Sequence, residues 1–245
     1  MLVEITTEGA VRTVTMNRPE KLNAMSDEML DELRAAFTTA PANRERVTIL
    51  RGAGRSFCAG RDIGGTMNVS VEPVFHAVET YPLPVIAVVQ GHAIAGGCEI
   101  ALHCDFVIAS TNARFGMSLA QIGLAPTWFL AKKLLDVAGP VGTREILLLG
   151  DPLPATQLHE LGMIARVAEP DELEATVDAL VDRLVQNAPL SLRAIKALLV
   201  REMTFREGIY HADVDNLVRQ VRDSQDAVEG KRARLERRRA NFQGR

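Results

Sequence analysis

Five short runs rich in β-branched residues punctuate the first 110 positions: "LVEITTEG", "VRTVTMN", "RVTILRG", "PVIAVVQG" and "CDFVIAS". Each is bounded by Gly, Pro, Asn or Asp, as strands commonly are. Helical apolar spacing fills the gaps between them, over 26–39, 74–81 and 97–103. Ser26 stands where an N-cap is needed, and the acids that follow suit the positive end of a helix dipole. Strands alternating with helices predict an α/β chain.

Beyond Pro126 only "MIARVA" reads as a strand. Helical patterns are predicted over 128–138, 141–149, 155–161, 172–187 and from 189 onward. A mixed sheet core to about Pro170 and a helical part beyond it are therefore expected, with 1–188 assigned as the core and 189–245 as the C-terminal helical region. At 245 residues the chain can bury a substantial core, and 47% hydrophobic with 24% charged residues is an ordinary globular balance.

A net charge of -3 gives no general attraction to nucleic acid or an anionic membrane. The N-terminus alternates like a strand and lacks the basic-then-apolar layout of a signal peptide. No apolar run approaches the roughly 20 residues of a spanning helix. Cys58, Cys98 and Cys104 are odd in number and form no CxxC pair, so reduced, buried thiols are expected, in a soluble cytoplasmic protein. There is no GxGxxG after the first strand and no GxxxxGK[ST], which removes the main support for a dinucleotide or P-loop site.

The stretch "HAIAGGCEIALHCD" sets two glycines before a Cys-Glu pair and a helical pattern. One reading is a tight strand-to-helix turn with Glu99 capping the helix. The other is a site, because free amides at a helix start attract developing negative charge and a nearby carboxyl can move protons. His103 follows Glu99 at i+4 on the same face, but two groups without a third ligand make no metal site. No metal is expected.

Three segments in order, "NRPEKLNAMS" at 17–26, "GRSFCAGRDI" at 54–63 and "QGHAIAGGCEIALHCDFVIASTNARFG" at 90–116, resemble the enoyl-CoA hydratase/isomerase family, the crotonases. The resemblance continues through "GLAP" at 123–126, "LLLGDPLPATQLHELGMIARV" at 147–167 and "EGKRARLERRRANF" at 229–242. It implies a crotonase-like spiral of β-β-α turns forming two sheets, a C-terminal helical trimerisation region, and homotrimers that commonly pair into homohexamers. The ligand it implies is an acyl-CoA thioester, with no cofactor beyond the CoA moiety of the substrate.

The shared chemistry of the family is stabilisation of a thioester enolate by two backbone amides, which by position are those of Arg61 and Gly96. Preorganised donors of this kind contribute roughly 3 kcal/mol each. Glycine at 96 and 97 is expected to let the oxygen approach the backbone. Only the amide of Arg61 is required, and its side chain is expected either to reach a CoA phosphate or polar acyl group or to face solvent. Lys21, Leu22 and Ala24 would meet the pantetheine and phosphate portion of CoA, while Ala59, Asp62 and Ile63 would flank the adenine and thioester.

Hydratases of the family hold a water between two glutamates. Glu99 matches the first. The second would lie three residues after the "FG" of "RFG", where this chain has Leu119. Water addition takes one group to activate the water and another to protonate the α-carbon, so a hydratase-like lyase centred on Glu99 needs help from elsewhere. Glu72 and His76 fall near the expected acyl chain, and Ser118, Gln121, Thr127 and Trp128 flank position 119. Isomerisation, decarboxylation and thioester hydrolysis stay open, because the same oxyanion hole serves each.

Two non-catalytic readings compete. Leu119 is compatible with a CoA-binding protein without fast chemistry, while Glu99 beside the glycine turn argues for an enzyme. The basic "KRARLERRRANFQGR" suggests RNA, but it lacks the aromatic platforms that stack unpaired bases. A solvated helix meeting a neighbouring subunit or the CoA phosphates is the preferred reading.

Overall fold

Strands β1 (Val3–Glu8) and β2 (Val11–Met16) pair antiparallel, and β2 then runs parallel to β3 (Val47–Gly52). The computed structural model describes residues 1–42, 44–204 and 208–245. Strands β4 (Val85–Val89), β6 (Phe106–Ser110) and β9 (Arg166–Ala168) extend the sheet in parallel, in the order β1-β2-β3-β4-β6-β9. A second sheet joins β5 (His92–Ile94), β7 (Arg114–Gly116) and β8 (Leu153–Pro154). All five strands expected from composition are present.

The three strands of the second sheet were not expected. At two or three residues each, they are too short to show a period of two, and pairing with neighbours rather than propensity holds them.

Period-two alternation divides the large sheet between two cores. Val47 and Ile49 of β3 and Ile86 and Val88 of β4 face α6 (Leu173–Val185), meeting Leu173, Val177, Leu180 and Leu184. Leu50, Val85, Ala87 and Val89 face the larger core, shared with α1 (Asp27–Thr38), α2 (Glu72–Thr80), α3 (Gly96–Leu102) and α4 (Trp128–Arg144). Ser26 caps α1 as expected, its side chain accepting from the Met29 N–H at 3.3 Å. Cys58, Cys98 and Cys104 are buried free thiols, and burial raises all three.

The two helices expected over 128–149 meet at Gly139, whose φ of 60° kinks α4 ahead of Pro140, and the segment Glu145–Leu149 closes as a π turn. A short α5 (Ala155–Glu160) follows. The C-terminal part is not helical throughout: α7 (Pro189–Met203), α8 (Ala212–Arg222) and α9 (Gln225–Leu235) are separate, and the chain leaves helix at Glu236. The helical expectation over 205–207 lies outside the described residues. Buried Lys196 docks α7 on the core, donating to Asp105 at 2.6 Å and to the Leu83 carbonyl at 3.1 Å. The final residues fold back onto the start of α9, where the Asp226 carboxylate accepts from the N–H groups of Gln243 and Gly244. Among the described residues no helix is long and apolar enough to cross a membrane.

Candidate active site

The strip 58–62 threads between β5 and the segment 22–25. On one side the Cys58 N–H donates to the His92 carbonyl at 3.0 Å, and the Ile94 N–H donates to the Cys58 carbonyl at 2.9 Å. On the other, the Met25 N–H donates to Gly60 at 2.7 Å and the Asp62 N–H donates to Met25 at 3.0 Å. In such a parallel bridge the intervening residue turns its own amide away, so the Arg61 N–H points away from Met25.

Gly96 opens α3, where a first-turn amide has no acceptor inside the helix. Gly60 brings the two amides together: its φ of 91° suits glycine, and a Cβ there would lie 3.2 Å from the Gly96 nitrogen. Ala95, between β5 and α3, holds φ 49° and ψ -120°, an outlier for a residue with a Cβ. The Ala95 N–H is anchored by the Gly116 carbonyl at 2.7 Å. Backbone strain of this kind concentrates at functional turns.

The reason for the paired glycines is corrected by this geometry. A Cβ on Gly97 would lie 2.1 Å from the Cys58 carbonyl oxygen, so this glycine admits the neighbouring strip and not a ligand. A Cβ on Gly96 would meet Met25 Cε at 2.8 Å and Phe75 Cζ at 3.7 Å, the ends of two apolar side chains.

Glu99 sits one turn into α3 and caps nothing, since Ala95 is the N-cap and no side chain bonds there. It is only 5% exposed, and among the described residues its Oε1 has no hydrogen-bond partner. Burial, with a smaller contribution from the negative charge of Glu72, pushes its pKa up to about 8. A carboxyl in that state holds its proton at neutral pH. His103, at i+4, binds the Glu99 backbone carbonyl through Nδ1 at 2.8 Å and stacks on Phe129 with ring centroids 4.8 Å apart. Burial lowers its pKa to about 3, so it is a neutral structural histidine.

A cavity of about 330 Å³ is lined by Glu72, Pro73, His76, Trp128, Phe129 and Lys132, and its Phe129 is the ring that stacks on His103. Glu72, His76 and Trp128, picked out separately from the sequence, thus share one wall. Trp128 also stacks on His211, the N-cap of α8, at 4.5 Å, so the C-terminal helices support that wall. Other candidates are structural: Thr127 caps α4 and Gln121 donates to the Leu149 carbonyl and to Asp151. Ser118 is buried, and Leu119 packs against the main core at the head of a 3₁₀ turn.

The expected CoA-contacting residues cluster on adjoining loops. The Ala59 N–H donates to the Leu22 carbonyl at 3.0 Å. Arg18, which the sequence reading passed over, donates through Nη1 to the Ala24 carbonyl at 3.0 Å and to Asp62 at 2.7 Å. Its presence in "NRPEK" was the available signal. That hydrogen bond leads the effects lowering the Asp62 pKa. Lys21 and Ile63 are exposed on the same loops.

The Arg61 side chain does not face solvent. It donates to the Met25 carbonyl at 3.0 Å, to Asp27 at 2.5 Å and to the Thr66 carbonyl at 3.3 Å. Asp27 also accepts from the Thr66 hydroxyl and the N–H groups of Asn68 and Val69, so the pair ties down the loop before α2. The Arg61 guanidinium, then the Thr66 hydroxyl, hold the Asp27 carboxyl well below the usual carboxylate range.

Residues 6–245 match the family model described as enoyl-CoA hydratase/isomerase. A crotonyl-CoA hydratase of Syntrophomonas wolfei is 32% identical over 254 residues, covering 96% of this chain and 95% of its own. A 1,2-epoxyphenylacetyl-CoA isomerase of Escherichia coli is 36% identical over 208 residues, covering 77% and 78%. A solved structure of methylmalonyl-CoA decarboxylase in complex with 2-nitronate-propionyl-CoA superposes with a TM-score of 0.90 at 27% identity, covering 100% of this chain and 99% of that one. The fold is therefore crotonase-like, with mixed α/β content and a helical C-terminal region, and the chain belongs to the enoyl-CoA hydratase/isomerase family.

Proposed function

We propose that the chain is an enoyl-CoA hydratase-like lyase, with the Arg61 and Gly96 amides as an oxyanion hole and Glu99 as the acid that exchanges a proton with the α-carbon. The observation that carries this reading is Glu99 itself: a buried carboxyl with an unpartnered oxygen, one helical turn from the free amide of Gly96. Enolate formation places charge on the thioester oxygen, and fixed amides in a dry pocket answer it without reorganising. A Glu99 pKa of about 8 makes it a proton donor at neutral pH.

Lys21, Leu22, Ala24, Ala59, Asp62 and Ile63 would hold the CoA portion, and the substrate's CoA is the only carrier this chemistry requires. Assembly into a homotrimer or homohexamer is part of the proposal, supported by the exposed apolar side chains of Leu190, Leu198 and Leu199 on α7 and Leu217 on α8.

Leu119 favours one second reading within the family. Decarboxylation needs the oxyanion hole and a single donor to protonate the resulting enolate, so Glu99 alone suffices. The test is turnover of a panel of acyl-CoA thioesters, followed for hydration, double-bond shift, CO2 release and free CoA. Hydration of crotonyl-CoA, lost in Glu99→Gln, is expected. CO2 release from a 2-carboxyacyl-CoA without hydration would favour the second reading, and tight CoA binding with no turnover would leave only a binding protein.

A further inference from the structure

Adding water across a double bond requires two proton transfers, one away from the water and one to the α-carbon. Glu99, protonated near neutral pH, is suited to give a proton and poorly suited to take one. Leu119 offers nothing that can take it.

Helix α2 carries another carboxylate, Glu72, on an element that packs against α3. Its Phe75 lies against Gly96, 3.7 Å from where a Cβ would stand, and its ring is 5.7 Å from that of His103. One turn later, Glu79 accepts from Lys133 of α4 at 2.5 Å. This side of α2 therefore covers α3 and α4, and Glu72, three residues before Phe75, stands at its N-terminal end.

Glu72 is half-buried and lines the cavity with His76 and Trp128. Among the described residues its carboxylate has no hydrogen-bond or ion-pair partner. Its charge also reaches Glu99, where it adds to the effect of burial.

We propose that Glu72 is the second carboxylate of this site, delivered by α2 in place of the turn that holds Leu119. The proposal rests on the hydratase reading and completes its proton balance. Glu72 takes a proton from the water as its oxygen bonds to the β-carbon. The π electrons of the double bond move to the thioester oxygen, held by the two amides. The Glu99 proton then goes to the α-carbon, the enolate collapses, and transfer of the proton from Glu72 to Glu99 resets the site. One water is consumed and no other reactant is needed.

Two half-reactions separate the roles. Hydration of crotonyl-CoA needs both carboxylates, whereas deuterium exchange at the α-carbon of butyryl-CoA, followed above pH 8 where Glu99 is ionised and can take the α-proton, needs only Glu99 and the oxyanion hole. For Glu72→Gln we expect hydration kcat to fall at least 100-fold with KM changed less than threefold, while exchange falls less than tenfold. The alkaline limb of residual hydration should move to lower pH, because Glu99 loses a repelling neighbour, and Glu72→Asp should recover part of the rate. Hydration by Glu72→Gln within threefold of the parent would overturn the role of Glu72 and leave the hydratase reading standing. Equal loss of both half-reactions would also overturn it, making Glu72 a support of the pocket. A parent enzyme that exchanges butyryl-CoA but hydrates no enoyl-CoA would overturn both readings together.

Discussion

Gly97 and Cys58 approach so closely that a Cβ on the glycine would stand 2.1 Å from the cysteine's carbonyl oxygen. This contact locks the start of α3 to the strip that carries Arg61. It thereby fixes the spacing of the two free amides.

The two neighbouring glycines should respond differently to alanine. Gly97→Ala drives a Cβ into backbone, so the strip must shift, with an expected stability loss of about 3 kcal/mol or more, in the range of strongly disruptive core substitutions. Gly96→Ala meets Met25 Cε, which can rotate aside, and should cost about 1 kcal/mol. Thermal unfolding of both variants checks the order, and turnover of Gly96→Ala reports how far the proposed oxyanion turn tolerates the extra methyl.

Glu99 makes stability depend on pH. Its folded pKa, about 8, lies above the usual carboxyl value of 4.5, so between these values the folded chain holds a proton that the unfolded chain has lost. Stability from this group is complete below about pH 4.5 and declines as pH rises toward 8. Glu99→Gln should flatten that decline, gaining several degrees in Tm over the parent at pH 8 and little at pH 5. Equal Tm differences at the two pH values would contradict the shift.

Arg61→Ala keeps the backbone amide and removes the tie to Asp27. Turnover should fall less than tenfold, while limited proteolysis within 64–71 accelerates. Since Asp27 is held below its usual pKa, the stability it contributes is present above about pH 4 and is lost as pH falls below that. The variant should lose the larger part of this acid-side dependence, the Thr66, Asn68 and Val69 hydrogen bonds keeping the rest.

Lys133 and Glu79 form a buried ion pair between α4 and α2, at 2.5 Å. Burial is the largest single effect and raises the Glu79 carboxyl, but the surrounding positive charges, Lys133 first, together with the Lys133 hydrogen bond outweigh it and the pKa is lowered. Lys133→Met strands a buried carboxylate and should cost about 3–5 kcal/mol. A Tm drop of roughly 10 °C is expected by calorimetry. The double variant Lys133→Met with Glu79→Leu should regain much of it.

Leu198 stands on the exposed face of α7. If that face is covered by further copies of the chain, Leu198→Glu should shift the mass seen by light scattering toward the 26.7 kDa of one chain. A parent already at that mass would remove the oligomer from the proposal.

Local sequence determined a good deal of this protein by itself. The five long strands, the Ser26 cap and the glycine turn before Glu99 were legible because each depends on residues within one or two turns of chain. The family was legible for the same reason, its motifs being short and ordered. Tertiary structure decided the rest. Strands β5, β7 and β8 exist only through their pairing, and Gly97 owes its identity to a carbonyl 39 positions earlier. Arg61 is folded onto Asp27 because a charge entering a half-buried loop settles on the nearest opposite charge, which spacing along the chain does not reveal. Glu72 and Glu99 feel each other only because α2 lies across α3, and burial, a property of the whole core, is what lets Glu99 keep its proton.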